Sequence, residues 1–285
     1  MQLVTYLRAG NEEFGILKGG AILPLTGVAG VGDDVVSLVS SAAHLEAARE
    51  ALAAADGGGI IALDDVELLA PVPRPGKIFG AAYNYRGHTS TPGEDNAPAP
   101  DLFMKLTSSV AGAGQDVIIP AESEHVDYEP ELGVIIGKPA WRVSREEALD
   151  YVAGYTVFND VSARDWQHAT TQWNLAKSFP GFSHMGPALV TADEVGDVSN
   201  LRITIVRDGV TKVDNTTAAM VHPVDELIAY ISTVTPLEPG DIIATGSPAR
   251  KPEFDPEPRL ESGDSTVITI EHVGRLTTRY AAPRT

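Results

Sequence analysis

Residues 127–133 read Asp-Tyr-Glu-Pro-Glu-Leu-Gly, and this stretch decides how the rest of the chain is interpreted. Glu129 and Glu131 are two residues apart, and side chains at that spacing lie on the same face of a β-strand. The apolar residues 132–136 that follow predict a buried strand. Two neighbouring carboxylates repel each other unless a cation lies between them, so the stretch indicates a metal site. A solvated strand face with alternating acids is the alternative interpretation.

The composition is typical of a globular protein with a sizeable core. The chain has 285 residues, of which 43% are hydrophobic, and a formal net charge of -18. This charge repels the phosphates of nucleic acids and anionic lipid headgroups, so we expect neither class of partner. The absence of cysteine excludes disulfides, thiolate zinc sites and cysteine nucleophiles. No stretch reaches the length of a membrane span and no leader peptide is recognisable, so we expect a cytoplasmic protein.

The first 70 residues predict a small N-terminal α/β domain. Short strand-like runs are followed by the alanine-rich residues 41–55, whose composition favours a helix. Ser40 or Ser41 can accept hydrogen bonds from the first backbone N–H groups of that helix. The proline-rich residues 71–75 then form a joint to the rest of the chain.

The remaining residues, 71–285, predict a second domain that is predominantly β with a few helices, which makes the protein α+β overall. Short apolar runs are separated by turn signals, and the regular alternation of strand and helix in a doubly wound sheet is missing. Two helices are expected in this part. One follows Ser144, where Glu147 completes a capping box, and the other begins at Pro223.

A second polar motif supplies a third acid. Residues 158–167 read FNDVSARDWQ, in which Asp160 follows an apolar run and Arg164 and Gln167 come soon after. Buried polar groups at this density need partners. Asp160 at a strand end can complete an oxygen-rich site with the two glutamates, and ligation by carboxylates favours magnesium, manganese or calcium over zinc. The alternative is that Asp160 caps the following turn.

Five motifs in a fixed order resemble the fumarylacetoacetate hydrolase superfamily. They are KIFGAAYNYRGH at 77–88, DYEPEL at 127–132, NDVSARD at 159–165, AKSF at 176–179 and TGSP at 245–248. The resemblance implies a mixed β-roll of the family's C-terminal type in residues 71–285, and a homodimer. It also implies a divalent metal, Mg²⁺ or Mn²⁺ with Ca²⁺ as an alternative, held by Glu129, Glu131 and Asp160.

The same resemblance assigns roles to other residues. Lys177 matches a lysine that contacts the substrate or a metal-bound water, and His88 matches a histidine on a mobile lid that can activate water. The substrate-binding positions of the family are matched here by Tyr85, Lys105, Arg164, Gln167 and Thr245. An ordinary surface lysine and a solvated loop histidine are the alternative interpretations of Lys177 and His88.

The sequence departs from the family pattern in several places, including Leu106 for a frequent proline and Pro180 for a frequent aspartate. Family members that hydrolyse acylpyruvates commonly carry a glutamate one helical turn after the lid histidine, where this chain has Thr91. Glu94 is expected to serve as the catalytic partner only if the lid folds differently. Arg250 and Lys251 follow the TGSP motif, where they either bind a second carboxylate at the pocket rim or lie exposed on a loop.

The resemblance therefore predicts an enzyme that acts on small 2-oxo acids. We expect a metal-dependent hydrolase that cleaves the carbon–carbon bond of a 2,4-dioxo acid, such as an acylpyruvate or fumarylpyruvate, through an enolate. Oxaloacetate decarboxylation and isomerisation of a 2-hydroxyhepta-2,4-diene-1,7-dioate-type substrate use the same ligands and are alternatives. A catalytically silent metal-binding scaffold is an alternative of another class, to which Thr91 gives some weight.

Overall fold

A computed structural model describes residues 1–55, 59–87, 97–251 and 259–283. The strands of this part of the chain are β1 Gln2–Arg8, β2 Asn11–Lys18, β3 Ala21–Pro24, β4 Ile61–Ala62, β5 Glu67–Leu68, β6 Ile78–Ala82, β7 Asp101–Lys105, β8 Val110–Gly112, β9 Val117–Ile118, β10 Val126–Asp127, β11 Pro130–Ile136, β12 Val152–Asp160, β13 Ser162–Ala163, β14 Ser183–Thr191, β15 Arg202–Arg207, β16 Val210–Thr216, β17 Ile242–Ala244, β18 Ser265–Ile270 and β19 Gly274–Ala281. The helices are α1 Val35–Val39, α2 Ala42–Ala54, α3 Arg164–Ala169, α4 Ala192–Val195 and α5 Val224–Val234.

Two large sheets dominate the structure. The larger sheet has the strand order β4-β3-β2-β1-β14-β12-β11-β17-β6-β7, with β5 beside β1 and β8 beside β14. Its pairs are antiparallel, except that β17 is parallel to β6 and β8 is parallel to β14. The second sheet has the order β16-β15-β18-β19-β9, and β10 forms a short pair with β13. The prediction of a predominantly β fold with mixed sheets and a few helices is therefore confirmed.

The main hydrophobic core contains residues from both sheets. Val134 and Val157 of the larger sheet share it with Ile203, Ile268 and Leu276 of the second sheet, and all five are fully buried. Strand β11 is buried along its whole length, which explains its continuous apolar sequence. Helix α5 packs one apolar face on the same core and begins at the expected position, with Pro223 at its N-cap.

The first 70 residues are joined to the rest of the chain by backbone hydrogen bonds. Strand β1 pairs with β14, with Leu3 opposite Leu189, so the larger sheet continues across residue 70. A second apolar cluster likewise combines Leu38 with Phe158 and Met185. The boundary at residue 70 accordingly stays a prediction.

Two helix predictions have different outcomes. Helix α2 is confirmed, and Ser41 Oγ accepts a 3.3 Å hydrogen bond from the backbone N–H of His44. The prediction of an α-helix after Ser144 is wrong, because residues 145–147 form a turn and only Ala148–Tyr151 forms a 3₁₀-helix. The Ser144 hydroxyl donates to the Glu147 carboxylate at 3.1 Å, so the two side chains bind each other instead of capping backbone groups. Strand β12 then begins at the next residue, Val152.

The register of β11 and β12 positions the candidate site. Pro130 lies opposite Asn159, so the start of β11 is beside the end of β12 near the middle of the larger sheet. The backbone N–H of Asp160 donates a 3.0 Å hydrogen bond to the carbonyl oxygen of Glu129, which extends this pairing by one residue. None of the helices described in the structure combines the length and the apolar character needed to span a membrane.

Candidate active site

Three acids meet where β11 begins and β12 ends. Glu129, Glu131 and Asp160 are all buried, and each offers a carboxylate oxygen that lies within 4.8 Å of those of the other two. Because Glu129 and Glu131 are two residues apart, their side chains point to the same side, and the Asp160 backbone is bonded to that of Glu129. The structure therefore brings together the three residues that the sequence predicted as metal ligands.

A divalent cation fits the chemistry of this group. Oxygen donors are the ligands that Mg²⁺, Mn²⁺ and Ca²⁺ prefer, and three protein ligands leave coordination positions for water or a chelating substrate. Burial raises the pKa of Glu131 well above its usual value, and the negative charges of Asp160 and Glu129 raise it further. A cation between the three carboxylates would offset this repulsion, so the group could hold a divalent metal.

Two buried lysines contact the same acids. Lys177 Nζ donates to Asp160 Oδ2 at 2.7 Å and also to Glu129, while Lys105 Nζ donates to Asp160 and to the carbonyl oxygen of Phe182 at 3.0 Å. Burial lowers the pKa of Lys105 below its usual value, despite the adjacent carboxylate. Burial also acts on Lys177, but Asp160 and Glu129 outweigh it and raise its pKa. Lys177 is thus held as an ammonium group against two of the candidate ligands.

A fourth acid, Asp127, connects this group to two arginines. Arg164 Nη2 lies 2.7 Å from Glu129 and 2.8 Å from Asp127, and Arg250 forms a second ion pair with Asp127. Burial alone would raise the pKa of Asp127, but the two guanidinium groups outweigh it and lower the pKa to about 2. Arg250 also lies over the ring of Tyr128, with its guanidinium carbon 4.8 Å from the ring centroid.

This arrangement contradicts both interpretations of Arg250 made from the sequence. Its side chain is only 17% exposed and is bound to Asp127, so the expectation of a free cation at the pocket rim or on an exposed loop is wrong. The physical reason is that a buried aspartate needs more than one cationic partner to stay charged. Asp127 lies two residues before Glu129, and the same spacing rule could have identified it.

The acids and their partners form a charged cluster with equal numbers of opposite charges. This charged cluster consists of the carboxylates Asp127, Glu129, Glu131 and Asp160 and the cations Lys105, Arg164, Lys177 and Arg250.

A small cavity of about 40 Å³ opens onto one side of the charged cluster. It is lined by Ala81, Ala82, Tyr83, Phe103, Glu129, Glu131, Arg164, Gln167, Trp173, Lys177 and Ser247. Arg164, Gln167 and Lys177 thus line the cavity, and their predicted contacts with a substrate stay predictions. Gln167 Oε1 accepts a 2.8 Å hydrogen bond from Arg164, which leaves its amide nitrogen as a donor. The aromatic lining was not identified from the sequence.

Tyr85 and Thr245 lie deeper than the cavity lining and are fully buried. Burial and the negative charge of Glu131 raise the pKa of the Tyr85 phenol. Its hydroxyl is close to that of Thr245, but neither group makes a hydrogen bond of normal geometry within the described residues. Lys105 is on the far side of Asp160 and does not line the cavity. The substrate-binding roles of these three residues stay predictions.

A buried amide connects the TGSP motif to a neighbouring loop. Asn84 Nδ2 donates to the carbonyl oxygens of Thr245 at 2.8 Å and His222 at 2.9 Å, and Asn84 Oδ1 accepts from the N–H of His222. Gly246, which follows Thr245 in the TGSP motif, donates its backbone N–H to Glu131 Oε2 at 2.9 Å. Asn84 was not identified from the sequence, where no local pattern separates it from a turn residue. His88 and Glu94 lie outside the described residues.

Comparisons with known proteins agree with this architecture. The family model of the fumarylacetoacetate (FAA) hydrolase C-terminal domain matches residues 77–281. Over 238 residues, the chain is 40% identical to human mitochondrial oxaloacetate tautomerase FAHD2A, which covers 81% of this chain and 74% of the human protein.

Two solved structures are similar over the full length of both chains. One is maleylpyruvate hydrolase from Sphingobium sp. SYK-6 in complex with manganese(II) and pyruvate, with 28% identity and a TM-score of 0.83. The other is 2-hydroxyhepta-2,4-diene-1,7-dioate isomerase from Mycobacterium marinum, with 28% identity and a TM-score of 0.77.

Proposed function

The chain belongs to the fumarylacetoacetate hydrolase family, and on that premise we propose that it is a divalent-metal-dependent enzyme that acts on a 2-oxo acid through an enolate. The observation that carries this proposal is the meeting of three buried carboxylates with the Lys177 ammonium group beside a cavity that Glu129, Glu131 and Lys177 line. Such a combination is costly to bury, and an arrangement of this kind is commonest at functional sites.

Glu129, Glu131 and Asp160 would hold the metal, with Mg²⁺ or Mn²⁺ as the proposed ion. When bound, the ion supplies Lewis-acid polarisation of the carboxylate and 2-oxo group of the substrate. The manganese and pyruvate in the structure of maleylpyruvate hydrolase support this choice.

The remaining side chains are suited to hold and stabilise an anionic substrate. Lys177 places a positive charge at the cavity wall, where it would stabilise the negative charge that develops on the substrate oxygen. The amide nitrogen of Gln167 can donate to a substrate carbonyl or carboxylate. Arg164 fixes Glu129 in place through its ion pairs with both Glu129 and Asp127.

The reaction that we propose first is the hydrolytic cleavage of a 2,4-dioxo acid. His88 would activate the attacking water, and the enolate that leaves would remain beside Lys177. Oxaloacetate tautomerisation is the second candidate. It is favoured by the 40% identity to the human tautomerase and by Thr91, which stands where acylpyruvate hydrolases of the family commonly carry a glutamate.

An activity screen tests the proposal. Metal-stripped protein should be inactive, and addition of Mg²⁺ or Mn²⁺ should start the loss of enol absorbance from acylpyruvates or oxaloacetate. In water enriched in ¹⁸O, hydrolysis should place one ¹⁸O atom in the released carboxylic acid, whereas tautomerisation should leave none in any new carboxylate. Full activity in the presence of a strong chelator would contradict the metal requirement. Metal binding without turnover of any 2-oxo acid would favour the silent scaffold.

We also propose a homodimer and a cytoplasmic location, as expected from the sequence. Multi-angle light scattering after gel filtration would test the first, with a mass of twice the 30.1 kDa chain as the expected result. Fractionation of the cells that produce the protein would test the second.

A further inference from the structure

We propose that Tyr83, Phe103 and Trp173 form an acyl-binding wall that selects 2-oxo acids with an apolar tail over those with a second carboxylate. The three residues line the cavity together with Glu129, Glu131 and Lys177. This inference rests on the proposed function and names the class of substrate for it.

The three rings of the acyl-binding wall pack against one another. The ring centroid of Trp173 lies 5.4 Å from that of Tyr83, with the planes at 77°, and 5.9 Å from that of Phe103, with the planes at 58°. The first contact is edge-to-face and the second is tilted, and together they hold the Trp173 ring between the other two. The wall is therefore a preformed apolar surface rather than a set of independent side chains.

The sequence of β6 makes room for this wall. Gly80 lies opposite Phe103 in the pairing of β6 with β7. A Cβ atom on Gly80 would come within 3 Å of three atoms of the Phe103 ring, so only glycine allows the ring to lie across the strand. Tyr83 follows β6 with a backbone φ of 50°, a left-handed conformation that costs energy in a tyrosine. Both features are expected where a binding surface is built at the expense of local stability.

The wall and the charged cluster are in direct contact. Lys177 Nζ lies 5.0 Å from the centre of the Phe103 ring, while the same nitrogen donates to Asp160 and Glu129. A substrate whose 2-oxo acid end lies at Lys177 would therefore have its other end near the rings. Apolar or aromatic acyl groups are complementary to that surface, and carboxylates are not.

The cations of the charged cluster have carboxylate partners already. Lys105, Arg164, Lys177 and Arg250 each contact Asp127, Glu129 or Asp160. Elsewhere, Arg86 donates to the carbonyl oxygens of Ala218 and Met220, and the charge of Lys251 lies close enough to Asp214 to act on its carboxylate. The sequences of residues 88–96 and 252–258 contain no lysine or arginine.

The balance of charge in the site also favours a substrate without a second carboxylate. The four carboxylates and four cations of the charged cluster compensate one another. A divalent ion adds two positive charges, and the carboxylate and enolate oxygen of a 2-oxo acid supply two negative charges. A second carboxylate would add a negative charge beside three aromatic rings, whose faces compensate little of its desolvation penalty.

A binding experiment with two unreactive oxamates tests this specificity. N-Phenyloxamate and N-oxalylglycine present the same chelating group, but the first carries an aromatic ring and the second a carboxylate. We expect calorimetry on the Mn²⁺-loaded protein to give a Kd at least about tenfold lower for N-phenyloxamate. Equal affinities, or tighter binding of N-oxalylglycine, would overturn the inference and leave the proposed function standing. If neither compound binds, both proposals fail.

Variants of Trp173 test whether the acyl-binding wall sets the ligand preference, as distinct from a general effect of substitution on folding. Trp173→Leu should reduce the preference for N-phenyloxamate several-fold, and Trp173→Lys should reverse it by providing a cation for the second carboxylate. Trp141→Ala is the matched control, because Trp141 is half exposed and does not line the cavity. If Trp173→Lys does not fold, Phe103→Leu with the same two ligands replaces it. An unchanged preference in folded Trp173 and Phe103 variants would overturn the inference.

Discussion

The backbone N–H of Gly246 donates a 2.9 Å hydrogen bond to Oε2 of Glu131. Gly246 has a φ of +90°, and a Cβ atom there would lie 2.8 Å from the carbonyl oxygen of Ala81 and 2.8 Å from Cβ of Asn84. The glycine is thus required both by its conformation and by the close approach of two neighbours. Through it, the TGSP motif holds one of the candidate metal ligands.

Gly246→Ala should displace this hydrogen bond and weaken metal binding. We expect the Kd for Mn²⁺ to rise by about tenfold or more, as for changes to groups that orient a metal ligand. Gly209→Ala is the matched control, because Gly209 also has a positive φ, of 73°, but a Cβ atom there meets nothing within 4 Å. Both variants should lose stability through backbone strain, and only Gly246→Ala should lose metal affinity in calorimetry. Equal metal affinities would show that Gly246 does not position Glu131.

Glu131→Gln should separate metal binding from folding. Burial and the nearby carboxylates raise the pKa of Glu131, which means that its charged form destabilises the folded, metal-free protein at pH values above its usual pKa. The amide can still accept from Gly246 and carries no charge. We therefore expect unchanged or higher thermal stability at pH 7 in a chelator, together with a Mn²⁺ affinity lower by about a hundredfold. Loss of stability with retained affinity would point to a structural role for Glu131.

The ion pair of Arg250 with Asp127 should be worth more than an exposed pair. Arg250→Met leaves a buried carboxylate with one cation fewer, and we expect a loss of about 3 kcal/mol in the free energy of unfolding. The control is Arg202→Met, because the Arg202–Asp214 pair at 2.8 Å has a 62% exposed arginine and should contribute much less to stability. Urea unfolding at neutral pH would measure both. Similar losses in the two variants would contradict the importance of burial.

Addition of Asp127→Asn to Arg250→Met should restore part of the lost stability. The buried carboxylate that has one cation fewer is then replaced by a neutral amide. A double variant that is less stable than Arg250→Met would show that Asp127 contributes chiefly through its other contacts, such as the 2.9 Å hydrogen bond from Arg164 Nε.

His184 should make the protein sensitive to mild acid. Burial lowers its pKa to about 4, and its ring nitrogens lie 3.0 Å from Thr278 Oγ1 and 3.2 Å from the carbonyl oxygen of Gln115. The folded state disfavours the protonated ring. The contribution of neutral His184 to the free energy of unfolding is therefore complete above about pH 6.5 and is lost as the pH falls towards 4. The loss is about 3 kcal/mol at most.

His184→Gln should flatten this part of the stability profile in urea unfolding between pH 7 and pH 4. His272→Gln is the matched control, since His272 is 63% exposed and should leave the profile unchanged. A steep loss of stability in His184→Gln over the same range would assign the acid sensitivity to another group.

The candidate metal ligands could be predicted because their geometry follows from local rules. Spacing of two residues put Glu129 and Glu131 on one side, and the strand before Asp160 indicated its position at a strand end. The acyl-binding wall could not be predicted in this way. Phe103 on β7 and Trp173 in a turn after α3 are 70 residues apart in the chain, and only the tertiary fold brings them to one cavity.

The two predicted helix starts also show that a local sequence signal alone does not determine the structure. Ser41 and Ser144 both precede segments with helical character, but only Ser41 accepts from a backbone N–H. At Ser144 the competing partner was the Glu147 side chain itself, and the following strand β12 is held by the sheet on both sides. Tertiary pairing therefore outweighed the local signal, as it did for Arg250, whose partner Asp127 is 123 residues away.

The equal number of acids and cations in the charged cluster also bears on the order of biosynthetic events. A site made of acids alone would have to wait for its ion before the surrounding strands could close over it. In the folded chain, Lys105, Lys177 and Arg164 already place positive charge against two of the three candidate ligands, Glu129 and Asp160. If the three carboxylates bind a metal as proposed, we expect the chain to fold before it is loaded and to exchange the ion without unfolding.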